Sequence, residues 1–310
     1  MSAAAERKVV LVTRKTRLEE LVAKYHTLAQ ARFYIEHLGA DFTDYVEENM
    51  AYSKSLGQVS EALRGWGRHQ VLDRAHLPNF VFAPDDIVVA LGQDGLVANT
   101  MKYLEGQPLV GINPEPSRWD GLLLPFEPDH VEALLVDVAH GRRPTKAVTM
   151  AQARLSDGQT LRAVNDLFIG PRSHTSALYD IALGDSREQQ SSSGVIVSTG
   201  LGSTAWLKSV MTGSLAPAAA TGGRGRGEYK PMDWDSDRLT FAVREPFPMK
   251  RAQATLVYGQ VTKGKPLSLR SRMPEHGVIF SDGMEADFLR FTAGVEVTVT
   301  VADTQGCLVM

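Results

Sequence analysis

The chain has 310 residues, enough for two compact domains that each bury a hydrophobic core. Its 33 basic and 36 acidic side chains leave a net charge of -3, which removes the electrostatic case for a nucleic-acid partner. Cys307 is the only cysteine, so an intrachain disulfide is excluded and a reducing compartment fits.

Met1 to Arg7 is small and polar, without the apolar core of a signal peptide. No apolar run approaches the roughly 18 residues of a membrane span, so a cytoplasmic protein is expected. Lys8 to Thr13 reads as a first buried strand. Leu18, Leu21, Val22, Tyr25, Leu28 and Ala29 then fall at helical intervals, which predicts one amphipathic helix. Gly39 stops a second helix, residues 41–64 continue in helical spacing, and Val71-Leu72 reads as a short strand. Ile87 to Leu91 is an unbroken, β-branched apolar run, the pattern of a strand buried on both faces, and it breaks at Gly92. Leu96, Val97 and Ala98 read as the first turn of the next helix. Leu109 to Asn113 is a further strand and residues 129–140 a helix ended by Gly141. This alternation predicts a parallel, Rossmann-like α/β sheet with right-handed crossovers.

After Arg142-Arg143-Pro144 the texture changes, which divides the chain into residues 1–143 and 144–310. Short runs at 147–155, 161–169, 177–183, 194–199, 238–243, 254–257, 267–270, 278–280, 287–291 and 295–301 predict strands. Turn residues separate most of them, with Ser156-Asp-Gly158 as a hairpin signal, so the second part reads as an antiparallel β-sandwich or open barrel. A helix is expected at Ala205 to Val210. Gly213 to Lys230, with its Gly222 to Gly227 run, reads as a surface loop, a phosphate-gripping lid being the alternative.

Four stretches combine small residues, a polar group and a neighbouring strand. Gly92-Gln93-Asp94-Gly95 sets an acid where backbone N–H groups and a helix start favour phosphate; Asp94 is either a helix cap or a base that takes a proton from a hydroxyl. Asn165-Asp166 puts an amide beside a carboxylate inside an apolar run. Burying that pair unpartnered would cost several kcal/mol, so it is either an internally bonded bulge or a clamp for vicinal ribose hydroxyls. Gly194 to Trp206 carries a strand into the small-residue turn Thr199-Gly-Leu-Gly-Ser-Thr-Ala-Trp206, whose helix start could bind an anion or a base. Phe280-Ser-Asp282-Gly283 is a strand followed by a hairpin signal. By contrast, Gly259 to Lys265 fails as a P-loop because Pro266 replaces the hydroxyl residue, and the eight histidines show no metal-ligand spacing.

These four motifs in this order resemble the NAD kinase family, whose members carry G-G-D-G-T, Asn-Glu or Asn-Asp, T-P-T-G-S-T-A-Y and a later Asp-Gly. Gly111-Ile-Asn-Pro-Glu-Pro-Ser-Arg118, Ser192-Ser-Gly194, Arg244-Glu-Pro246 and the stretch from Arg14 to Leu56 look like the mitochondrial-type branch of animals. The resemblance implies an α/β nucleotide-binding domain, a β-rich dinucleotide-binding and oligomerisation domain, and an active site between them. It implies transfer of a phosphoryl group from ATP, with Mg²⁺, to the 2′-hydroxyl of the adenosine ribose of NAD or NADH, and a homodimer or larger homo-oligomer. Asp94 would be the catalytic base, Gly92 and Gly95 would leave room for phosphates, Asn165 and Asp166 would bind ribose hydroxyls, and Thr204, Ala205 and Ser209 would surround the adenine. Gln93, Ser193, Trp206 and Asp282 complete the expected site, with no metal-ligating side chain of the protein's own. The chain departs from the family where Gln93 replaces glycine, Leu96 replaces threonine, and Ser193 stands where many bacterial members have an Asp. Two other readings stay open: a dinucleotide-binding regulatory module without turnover, and a lipid or sugar kinase of the same fold.

Overall fold

The computed structural model describes residues 7–222, 229–248 and 254–310. They form two units: one runs to Lys146 and takes back Cys307–Met310, the other is Ala147–Gly306.

In the first unit β1 (Val9–Thr13), β2 (His69–Asp73), β3 (Ile87–Leu91) and β4 (Pro108–Ile112) pair in parallel. β18 (Gly306–Val309) joins β4, also in parallel, and β5 (Thr145–Val148) forms the edge, giving the order β2-β1-β3-β4-β18-β5. Every residue of β1 and β3 is buried, which is why both read as continuous apolar runs rather than alternating ones. On one face Leu11, Val89, Leu91 and Ile112 pack against Tyr52, Val59 and Leu63 of α3 (Thr43–Trp66) and against Leu134, Leu135 and Val138 of α5 (Val131–Ala139).

The stripe from Leu18 to Ala29 is two helices rather than one, α1 (Arg17–Tyr25) and α2 (Leu28–His37). His26 ends α1 at φ 69, and Thr27 starts α2 by accepting the Gln30 N–H at 3.2 Å. A threonine hydroxyl that satisfies a helix-start amide outweighs continued apolar periodicity. α4 (Asp94–Met101) begins before Leu96, so Asp94 and Gly95 lie in its first turn and Leu96 is core, 3% exposed.

The second unit holds two antiparallel six-stranded sheets. One has the order β10 (Ser186–Ser192), β9 (Ala177–Leu183), β14 (Leu267–Ser271), β17 (Glu296–Val301), β6 (Ala151–Leu155), β7 (Thr160–Ala163). The other is β13 (Tyr258–Val261), β12 (Leu239–Val243), β11 (Val195–Ser198), β8 (Asp166–Pro171), β15 (Gly277–Ser281), β16 (Met284–Arg290). Ala153, Tyr179, Ile181, Leu269 and Val299 of the first sheet share one core with Leu167, Ile169, Val197, Phe241 and Ile279 of the second. This is the sandwich that the strand-and-turn pattern predicts.

Several boundaries differ. β10 has no apolar pattern to read, being Ser-Arg-Glu-Gln-Gln-Ser-Ser, yet it pairs with β9 along its whole length. Residues 254–257 are not a strand: the amides of Thr255 and Leu256 go to the Glu188 carboxylate, and pairing resumes at Tyr258. The loop expected from Gly213 is helical as far as Ala220, because α6 (Trp206–Ala220) continues through its alanine-rich end; residues 223–228 of that stretch lie outside the described residues. No helix among the described residues is long and apolar enough to cross a membrane.

Candidate functional site

In the second unit the structure brings three of the four motifs together. Asp282 and Gly283, at φ 53 and φ 71, make the tight turn between β15 and β16, as an Asp-Gly hairpin requires. The turn also has a second task. The Asp282 carboxylate accepts the consecutive amides of Val164 (3.0 Å), Asn165 (2.7 Å) and Asp166 (3.2 Å), and the Asp282 N–H donates to the Asp166 carbonyl at 3.0 Å. Three amides converging on one carboxylate fix the link between β7 and β8. From the other side Thr199 donates its hydroxyl to the Val164 carbonyl at 2.5 Å and its N–H to the Asn165 carbonyl at 2.9 Å. Gly202 presses on the same carbonyl so closely that a Cβ there would stand 2.0 Å from it.

The backbone of Asn165-Asp166 is therefore consumed by the fold while the side chains are not. Neither the Asn165 amide nor the Asp166 carboxylate takes a hydrogen bond from the described residues. Asp166 is 6% exposed, and burial, reinforced by the Asp282 charge, pushes its carboxyl up to about 7. The backbone of the pair is thus bonded internally, while an amide and a carboxyl with free polar atoms have the chemistry that a hydroxyl group could bond.

Beyond Thr199 a 3₁₀ turn (Leu201–Thr204) leads into α6. Ser203 is buried and tied to Gly200 and Met232, whereas Thr204, Ala205 and Ser209 are exposed along the start of α6. Trp206 stacks on Phe168 at 5.7 Å between ring centroids, and Phe168 on Phe280 at 4.9 Å. The Arg244 guanidinium lies 5.4 Å from the Trp206 ring. With Arg172 and Phe288 these groups line a cavity of about 170 Å³ suited to a flat ring. Phe168, Arg172, Phe280 and Arg244 are not among the site residues expected from the sequence, although Phe280 opens the fourth motif and Arg244 the Arg244-Glu-Pro246 stretch; the available signal was the aromatic side chains within Ala163–Gly170 and Val278–Phe280. Ser193 stands beside this cavity through the backbone of Arg244. It precedes β11, whereas Thr199 follows it, and its N–H goes to the Arg244 carbonyl at 2.9 Å.

The Gly92–Gly95 motif belongs to the first unit. Asp94 opens α4, and its Oδ1 accepts the Leu123 N–H at 2.6 Å. Its other carboxylate oxygen takes no hydrogen bond from the described residues, which leaves a positioned acceptor. Leu123 reaches Asp94 because the strand beneath it carries Gly111, where a Cβ would stand 2.0 Å from the Leu123 carbonyl. The Tyr52 hydroxyl ties the carboxyl ends of β1 and β3 together, accepting from Arg14 N–H (3.0 Å) and donating to the Leu91 carbonyl (3.1 Å). Burial raises the Tyr52 hydroxyl above its ordinary range, so it stays a neutral donor. Outside this turn Arg14, Arg17 and Arg118 pair with Glu48, Asp44 and Glu115. Burial works against ionisation of Glu48, but hydrogen bonds from Arg17 and Arg14 prevail and hold its carboxyl below the usual range. Among the described residues no three His, Cys, Asp or Glu side chains stand close enough to hold a metal.

No family model matches the chain. In sequence it is similar to an NAD kinase of Chlorobaculum tepidum, 30% identical over 139 residues that cover 43% of this chain and 47% of that protein. It is also similar to the mitochondrial NAD kinase 2 of Rattus norvegicus (26% over 251 residues, 64% of this chain and 59% of that protein) and of Homo sapiens (24% over 250 residues, 64% and 57%). The chain thus spans about half to three-fifths of these curated relatives. Its fold is similar to a yeast NADH kinase solved with NADH (TM-score 0.58, 14% identity, 98% of this chain and 83% of that one). It is likewise similar to an NAD kinase from Archaeoglobus fulgidus solved with ATP (TM-score 0.56, 15% identity, 98% and 93%).

Proposed function

We propose that this chain, which groups with the NAD kinases in sequence and in fold, transfers the γ-phosphoryl group of ATP to the 2′-hydroxyl of the adenosine ribose of NAD or NADH. The observation that carries the reading is the Asn165-Asp166 pair, whose backbone is locked by Asp282 and Thr199 while its side chains are left free for hydroxyl groups. Asp94, anchored through one oxygen, is the base. Its free oxygen takes the 2′-hydroxyl proton as the ribose oxygen bonds to phosphorus; the bond from phosphorus to the β,γ-bridging oxygen breaks, and ADP leaves with that electron pair. Thr204, Ala205 and Ser209 would border the adenine, and Trp206 supplies a stacking face. Mg²⁺ would arrive on the triphosphate, where phosphate oxygens and water suit it; Asp94 is the one carboxylate within Gly92–Gly95 able to face it, and the ion when bound neutralises phosphate charge. Self-association through the strand-rich unit and a cytoplasmic location belong to the same proposal, the first on the family resemblance and the second on the single cysteine.

The test is to incubate purified protein with NAD, ATP and Mg²⁺ and to measure NADP. Formation of NADP is expected; binding of NAD without NADP from any nucleoside triphosphate would replace the kinase by a dinucleotide-binding module.

A further inference from the structure

The Leu123 amide that holds Asp94 comes from a loop between β4 and α5. The chain leaves the sheet at Asn113 and returns at Phe126, whose carbonyl accepts the Asn113 N–H at 2.8 Å and which bridges to Ile112. On the way Leu123 and Leu124 turn into the interior while Leu122 stays exposed. The loop must therefore be set so that Leu123, and not its neighbour, presents its N–H to Asp94.

One side chain holds this excursion closed. Asn113 is 4% exposed, and both ends of its amide are used on the loop: Oδ1 accepts the Glu115 N–H at 3.0 Å, and Nδ2 donates to the Trp119 carbonyl at 3.0 Å. The same Nδ2 lies 2.7 Å from where a Cβ on Gly121 would stand, and Gly121 sits at φ 62, which glycine adopts without strain. The Gly121 carbonyl then accepts the Leu124 N–H at 2.9 Å, closing the turn that contains Leu123. An aspartate at 113 would keep the acceptor but set an oxygen against the Trp119 carbonyl.

The outer end of the loop is fastened by charge. Arg118 pairs with Glu115 at 2.8 Å within the loop and with Asp44 in the first turn of α3, where Arg17 also meets Asp44 at 2.7 Å. Hydrogen bonds from Arg118 and then from Arg17 hold the Asp44 carboxyl below the usual range, so it stays charged. Further along α3, Ser55 donates its hydroxyl to the Pro114 carbonyl at 2.9 Å. Ion pairs this exposed add little to global stability, but opening one loop breaks only that loop's contacts, so they weigh on local order.

We propose that Asn113, braced by Arg118, is a positioning residue for Asp94: it sets the 113–124 loop so that the Leu123 N–H holds one carboxylate oxygen and aims the other. What Asp94 then does to a hydroxyl rests on the kinase reading; how Asp94 is held does not. A carboxylate turned away from the proton it takes loses alignment, which costs rate without costing affinity.

The test joins kinetics to backbone amide exchange followed by NMR, in Asn113→Asp and Arg118→Ala. Exchange at Leu123 should quicken about tenfold in Asn113→Asp and less in Arg118→Ala, while the buried amide of Val110 in β4 keeps its wild-type rate. In turnover Asn113→Asp should lower kcat about thirtyfold and Arg118→Ala about threefold, with the KM for NAD and for ATP unchanged. The double variant should be no slower than Asn113→Asp, since both act through one amide. Arg118 is partly exposed, so its variant folds even where Asn113→Asp does not, and its Leu123 exchange then decides alone. Unchanged exchange at Leu123, or exchange that quickens equally at Val110, overturns the proposal whether or not the protein makes NADP. Quickened exchange with a wild-type kcat also overturns it, because the loop would then serve the fold alone. Quickened exchange at Leu123 together with no NADP from the wild type upholds the bracing of Asp94 and overturns the kinase reading alone.

Discussion

The Gly92–Gly95 turn and the Asn165–Asp282 cluster divide backbone and side chain in opposite ways. In the cluster, successive backbone amides are spent on Asp282 and the Asn165 carbonyl on Thr199, so the side chains are what remains to offer. In the turn, α4 has no side-chain cap, and the one ionisable side chain, Asp94, is itself tied down by the Leu123 amide. The difference teaches which substitutions matter where. On the proposed function, chemistry in the turn would fall to one carboxylate oxygen and binding to main-chain groups, whereas in the cluster Asp282, held away from the ligand, would control Asn165 and Asp166.

The largest effect should come from Asp94→Asn. The asparagine carbonyl can still accept the Leu123 N–H, so the fold and both KM values should hold, while loss of the base lowers kcat by about a thousandfold. Initial-rate kinetics beside a thermal melt decide this; near-wild-type kcat would make Asp94 a structural cap and erase the contrast. Next comes Asp282→Ala, which strands three amides. A loss of about 3 kcal/mol in denaturant unfolding is expected, with a KM for NAD more than tenfold higher and a kcat that changes little. A stability loss with an unchanged KM would show that the clamp does not depend on its anchor.

The parallel sheet was legible because strands buried on both faces are spelled as apolar runs, and the four motifs because each joins small residues to a polar group beside such a run. What the sequence concealed were contacts of long range. Nothing within Phe280 to Gly283 indicates that the Asp282 carboxylate closes over amides more than a hundred positions earlier. β10 was hidden because it is polar and draws its strand character from β9 and from Glu188, which binds the 255–256 backbone. Helix ends fared worst: a lone threonine, Thr27, divides what periodicity joins. Leu96 looked like a lost hydroxyl beside the turn, yet it packs where a Cβ on Gly92 would stand 2.8 Å away, so it serves the core beneath the turn.

A smaller effect follows from Asp166. Its folded-state carboxyl, raised to about 7 by burial and the Asp282 charge, keeps its proton where the unfolded chain has already released it. The folded state therefore binds more protons between about pH 4 and about pH 7, and stability falls as pH rises through that window, by about 1 kcal/mol per pH unit, then levels off above it. Asp166→Asn should flatten this part of the profile in urea unfolding. An unaltered slope would mean that the carboxyl ionises freely and that its neighbourhood is wetter than its 6% exposure indicates.

The smallest change separates packing from recognition in the aromatic cavity. Trp206 stacks on Phe168 and carries Arg244 over its ring, so its removal alters both the outer face of the sheet and any flat ligand ring placed there. Trp206→Leu preserves an apolar contact with Phe168 but removes the π face, which is worth about 1 kcal/mol and hence a KM for NAD about fivefold higher. Core packing alone would lower the melting temperature and leave the KM where it was. The cavity would then belong to the fold, as the Asp282 carboxylate does, and recognition in the strand-rich unit would narrow to Asn165, Asp166 and the exposed start of α6.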